Sequence, residues 1–129
     1  MSDHELDQVR AFYRNQLGEV PPSVECALRT VPDELLGYMA LRNALQQRVD
    51  GPGLPAKYAS LVFAVLDVAD RNYDGALNHA RAALNHGLSW DELLHGLVQT
   101  WIVRGFAGSW GAVGWRVVAA LEEEGFGPR

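Results

Sequence analysis

His79 is the first residue in this sequence to weigh for chemistry. An imidazole changes charge near neutral pH without help from its surroundings, so it is the default candidate for acid–base work. It lies in "RNYDGALNHARAALNHG", residues 71–87, whose 3.6-residue periodicity predicts a helix from about Tyr73 to Gly87. Tyr73, Ala76, Leu77, Ala80, Ala83 and Leu84 then share one apolar stripe, with His79 on its border beside Asn72, Gly75, Ala82 and His86. A glycine inside a helix costs about 1 kcal/mol relative to alanine. Gly75, one turn before His79, therefore implies that another helix or a ligand approaches there. The expectation is a substrate cavity made by Asn72, Gly75, Ala76 and Ala83 and closed by a tryptophan of the 90–115 region.

Two charges stand on otherwise apolar helix faces. Asp67 follows Ser60 by seven residues on one face of "LPAKYASLVFAVLDVAD", with Phe63 nearby, and Arg104 extends the stripe Trp90, Leu93, Leu94, Leu97, Val98, Trp101. Burying either charge without a partner would cost several kcal/mol, so each needs one. The partner is the other charge, a residue of a second subunit, or an anionic ligand held by the guanidinium fork. Alternatively Arg104 only caps carbonyls at its helix end or extends past Trp101 to water. The expected pairing is Asp67 with Arg104.

Other chemistries find less support. His79 and His86 are seven residues apart, roughly 10 Å along a helix axis, whereas helix ligands of one zinc stand three or four apart; no metal site is expected. His4 near the terminus and His95 beside Asp91 and Gln99 read as solvated. There is no GxSxG elbow and no P-loop lysine in the glycine-bearing "GPG" and "GFAGSWG". Cys26 is alone, which excludes an intrachain disulfide and a CxxC redox pair, and it reads as a small buried hydrophobe. A formal charge of −5 with a single lysine, Lys57, leaves no phosphate-tracking surface, so nucleic acid is not an expected partner. The absence of a long apolar run and the acidic, polar start "MSDHELDQVR" predict no membrane partner and a cytoplasmic location.

The elements that must position these residues are helical. At 129 residues and 48% hydrophobic content the chain is expected to be a single all-α domain, a bundle of about six helices without alternating strand patterns. The amino-terminal helices occupy 1–50. One runs from about Asp3 to Leu17 before Gly18, a short one is opened by prolines, and one runs from near Pro32 to the stop "DGPG" at 50–53. The core region is 51–125. Its first helix is apolar around most of its circumference and is expected to be largely enclosed. "SWDE" at 89–92 is a capping box opening the helix that carries Trp90 to Trp101. Gly105, Gly108, Gly111 and Gly114, three apart, allow close approach of a helix or a ligand.

The stretch 51–108 resembles the carboxymuconolactone decarboxylase family, an all-helical group within the alkylhydroperoxidase-like superfamily. The resemblance rests on "PGLP" at 52–55, "SLV" at 60–62, Asp74, His79 with Arg81, "AAL..G" ending at Gly87, and "DEL" at 91–93 before a helix leading to Gly105. In the peroxidase branch two cysteines stand seven and four positions before the matching histidine, and a glutamate stands twelve before the first. Here those places hold Asn72, Gly75 and Ser60, so thiol peroxidase activity is not carried over, and the decarboxylase-like branch is the better match. That branch implies a histidine, here His79, handling the proton as a lactone acid loses CO2, and homo-oligomers, trimers or hexamers, with pockets near subunit boundaries. Asp67, Arg104, Trp101 and Trp110 depart from the family pattern, as does Gln47 or a neighbouring glutamine at a glutamate position before "PGLP".

The resulting expectation is a cofactor-free lyase or isomerase acting on a small carboxylate- or carbonyl-bearing compound. His79, Arg104 and Asp67 would be catalytic: the histidine as acid or base, the arginine on a carboxylate or developing enolate, and the aspartate positioning one of them. Ser60, Asn72, Tyr73, Gly75, Gln99, Trp101 and Trp110 would bind substrate. The rival is a non-catalytic small-ligand-binding or scaffold protein that keeps the fold; the glutamine near residue 47 favours it.

Overall fold

The computed structural model describes residues 2–46 and 53–128. Gln47 and the part of the "DGPG" stop that precedes Gly53 lie outside the described residues. All regular structure among the described residues is helical, as the periodicity predicts. The chain divides into two compact units, Met1–Gly53 and Leu54–Arg129.

In the first unit α1 (Asp3–Leu17) opens with a capping box between Ser2 and Glu5 and stops at Gly18 in the left-handed region, φ 84°. Pro22 fills the first position of α2 (Pro22–Thr30), where a missing N–H costs nothing, and α3 (Pro32–Gln46) follows. Val9, Tyr13, Leu17, Val24, Leu28 and Leu35 are buried. Arg10 clamps Glu25 through both carboxylate oxygens at 2.9 and 3.1 Å, tying α1 to α2. Cys26 is exposed rather than buried, because α2 turns Val24 and Leu28 inward.

The second unit carries the expected core region. Helix α4 (Ala56–Ala69) packs along α5 (Tyr73–Asn85). Ala64 and Val68 of the first and Ala76, Ala80 and Ala83 of the second are wholly buried, together with Leu93 and Leu97 of α6 (Trp90–Val98). Small residues on α5 thus serve helix packing. The predicted capping box at Ser89 and Glu92 is present, with both reciprocal bonds at 3.0 Å. Helix α4 is less enclosed than its sequence suggests: Val62 and Leu66 are 42% and 53% exposed.

The helix expected to run on from Trp90 through Arg104 breaks at Gln99. Thr100 Oγ1 donates to the Leu97 carbonyl at 2.7 Å and Gln99 Nε2 to the His95 carbonyl at 3.1 Å. Such side-chain bonds compete with the helical ladder. The chain restarts as α7 (Thr100–Arg104), α8 (Phe106–Ser109) and a π-helical turn over Trp110–Gly114 that leads into α9 (Trp115–Glu123). Gly114 admits Trp110 closely: a Cβ there would lie 3.0 Å from the indole.

His86 closes α5 and turns its Nε2 into a site without a hydrogen-bond partner. Burial pushes its pKa below the ordinary histidine value. The folded protein therefore binds this proton less readily than the unfolded chain. The associated stability is complete above about pH 6.5 and is lost as pH falls from there through the folded value. His86→Gln should flatten the loss of urea stability between pH 7 and pH 5; an equal loss in both proteins would mean that another group drives it.

Candidate active site

The turn between α4 and α5 builds the site. Helix α4 ends in a Schellman motif, with Asn72 N–H donating to the Asp67 carbonyl at 2.8 Å and Arg71 N–H to that of Val68 at 3.1 Å. Arg71 occupies the left-handed position at φ 59°, which costs a non-glycine residue roughly 1–2 kcal/mol. Its Nε donates to the Gly108 carbonyl at 3.1 Å, fastening the turn to α8. Asn72 then caps α5, its Oδ1 accepting the Gly75 N–H at 3.1 Å.

This turn folds Asp67 back onto His79. Asp67 Oδ2 lies 2.7 Å from His79 Nδ1, with the two side chains 21% and 22% exposed. An ionised carboxylate only accepts hydrogen bonds, so Nδ1 carries the proton and the neutral ring's basic nitrogen is Nε2. The Phe63 ring lies 5.4 Å from the imidazole. Asn72 Nδ2 faces the other carboxylate oxygen at 3.4 Å.

Gly75 is explained by the same cluster. A Cβ on it would stand 2.7 Å from Asp67 Oδ2 and 2.6 Å from Asn72 Nδ2. The space beside His79 is filled by the aspartate and the asparagine, and Ala76 and Ala83 are sealed in the core. The expected cavity lined by Asn72, Gly75, Ala76 and Ala83 is thus a packing notch for a carboxylate. A cavity of about 470 Å³ in this unit lies elsewhere, between Leu84–Asp91 and Phe126–Pro128, and none of the predicted site residues lines it.

The expected Asp67–Arg104 pair does not form. Asp67 is engaged by His79 and Asn72, and Arg104 is exposed at the end of α7, with no ion pair among the described residues. The helical wheel that joined Arg104 to the Trp90 stripe fails because the helix breaks at Gln99. Of the remaining predicted residues, Ser60 is 2% exposed on α4, and Gln99 spends its amide on the His95 carbonyl. Tyr73 lies under the Arg116 guanidinium at 4.2 Å. Trp101 and Trp110 form an aromatic cluster with Phe106, ring centroids 5.6 and 4.9 Å from Trp101. Sequence reasoning passed over Arg71, since an arginine in a left-handed turn carries no residue-type signal. The Asp67–His79 contact had one, the i, i+12 separation across a helix–turn–helix with Gly75 opposite.

No family model and no curated protein matches the chain. Among solved structures, a Burkholderia xenovorans LB400 protein described as a "putative carboxymuconolactone decarboxylase" is 35% identical. The similarity spans 96% of this chain and 94% of that one, with a TM-score of 0.81. The chain belongs to the carboxymuconolactone decarboxylase family. In this carboxymuconolactone decarboxylase family member the Asp67 carboxylate fills the space beside Gly75. Among the described residues no three His, Cys, Asp or Glu side chains converge as metal ligands, and no helix is long and apolar enough to cross a membrane.

Proposed function

We propose that this protein is a cofactor-free lyase or isomerase of decarboxylase type, in which an Asp67–His79 dyad transfers the proton. The 2.7 Å contact between Asp67 Oδ2 and His79 Nδ1 carries the reading. The substrate is a small lactone or related carbonyl acid. Its carboxylate departs as CO2 and the bonding pair passes into the conjugated carbonyl as an enolate; protonated His79 then delivers a proton to carbon from Nε2. Asp67 supports the imidazolium form electrostatically and fixes the ring. In the isomerase variant the same nitrogen removes a proton beside the carbonyl and returns it at another carbon.

Arg104 is the candidate for the substrate carboxylate, and its exposure on α7 suits a role completed by a second copy. Ile102 and Val103 are 88% and 70% exposed beside it, and Phe106 and Trp115 are exposed as well. Adjacent apolar side chains left in water favour association, and the assembly is a trimer or hexamer in a cytoplasmic setting. Light scattering should give a mass several times 14.2 kDa; a monomer at micromolar concentration would remove the shared-site role of Arg104.

The experiment for the function is release of CO2 from a panel of lactone acids in deuterated water. Wild-type protein should release CO2 and place one deuteron on product carbon. Binding without turnover across the panel would instead favour a ligand-binding protein that kept the fold.

A further inference from the structure

We infer that Asn72 is a positioning residue that holds the Asp67 carboxylate against His79, and not a group that binds substrate. The inference rests on the proton-transfer reading of the dyad and assigns the part that keeps it aligned. Three observations meet at this side chain. Its Oδ1 is committed to the Gly75 N–H at 3.1 Å, which fixes the amide's orientation. Its Nδ2 therefore faces Asp67 Oδ1, at 3.4 Å; the flipped amide would set an oxygen against a carboxylate oxygen and lose the cap. Gly75 completes the seat, because a side chain there would strike both the Asn72 amide and Asp67 Oδ2, at 2.6 and 2.7 Å.

The backbone adds a second constraint. Asn72 N–H is bonded to the Asp67 carbonyl at 2.8 Å, so residues 67 and 72 are linked through main chain and side chain at once. An aspartate side chain has several staggered rotamers, and the one Asp67 adopts reaches His79. The amide on one oxygen and the imidazole on the other select it. Asn72 thus acts on the proton carrier through Asp67.

Two substitutions separate this role from capping. Asn72→Ser keeps an N-cap acceptor for Gly75 N–H and removes the amide that reaches Asp67, leaving a shorter hydroxyl; Asn72→Asp keeps the cap and opposes Asp67 with a like charge. The readout is the nitrogen-bound proton at His79 Nδ1, observed by ¹⁵N-edited NMR in the resting protein, so it does not depend on finding a substrate. In wild type this proton should be downfield and protected from solvent exchange. In both variants, with helix content intact, the protected resonance should be lost. Its retention in both overturns the positioning role, and a wild-type ring without a bonded proton on Nδ1 overturns the contact itself. Where turnover is available, Asn72→Ser should lower kcat with KM little changed; a raised KM with unchanged kcat would make Asn72 a binding group. Failure of every lactone acid to react would count against the decarboxylase reading and leave the NMR result standing.

Discussion

Turnover should fall by about two to four orders of magnitude in His79→Gln, the usual contribution of a positioned general acid or base, while folding and assembly should stay close to wild type. Glutamine occupies a similar volume and can still hydrogen-bond Asp67, but it cannot carry a proton at neutral pH. Because His79 lies on the border of the α5 stripe, about a fifth exposed, its replacement opens no cavity in the Ala76–Ala80–Ala83 seam. A steady-state assay beside a thermal melt checks both halves. Full activity in His79→Gln would reduce the histidine to a packing residue and move the site elsewhere.

Gly75→Ala is expected to uncouple stability from activity. Alanine gains about 1 kcal/mol of helix propensity over glycine, which offsets the strain of displacing two short polar side chains. Its methyl group nevertheless needs the space held by Asp67 Oδ2 and Asn72 Nδ2, so the carboxylate must leave its 2.7 Å contact with His79. Turnover should drop on the order of a hundredfold, less than the ~10⁴-fold that follows replacement of the aspartate in a Ser-His-Asp triad. Midpoint and slope of urea unfolding, measured with kcat, test the pair of outcomes. A variant as active as wild type would show that Asp67 can serve from another position.

The helices were legible because their boundaries carry chemical signals. Ser89 with Glu92, Gly18 and Gly87 name ends of α6, α1 and α5 by their cap residues, and the alanine stripe of α5 names its buried face. Gly75 announced a close approach, and the sequence could not say by what. Periodicity places a residue on a face of its own helix, whereas the partner comes from another element through a turn. The Asp67–His79 contact depends on a Schellman turn with Arg71 in a left-handed conformation, which most turn rules would assign to glycine or asparagine. The mistaken Asp67–Arg104 pair has a similar origin. A wheel drawn through Gln99 assumes an unbroken helix, and the Thr100 and Gln99 side chains break it by taking carbonyls the ladder would use.

The dyad is tested most directly by a double-mutant cycle on turnover between Asp67→Asn and His79→Gln. If Asp67 acts through His79, Asp67→Asn lowers kcat in the wild-type background and has no further effect once His79 is glutamine, the non-additivity expected of residues that work as a unit. Equal fold-losses from Asp67→Asn in both backgrounds would contradict the account, because they would show the aspartate and the histidine contributing independently.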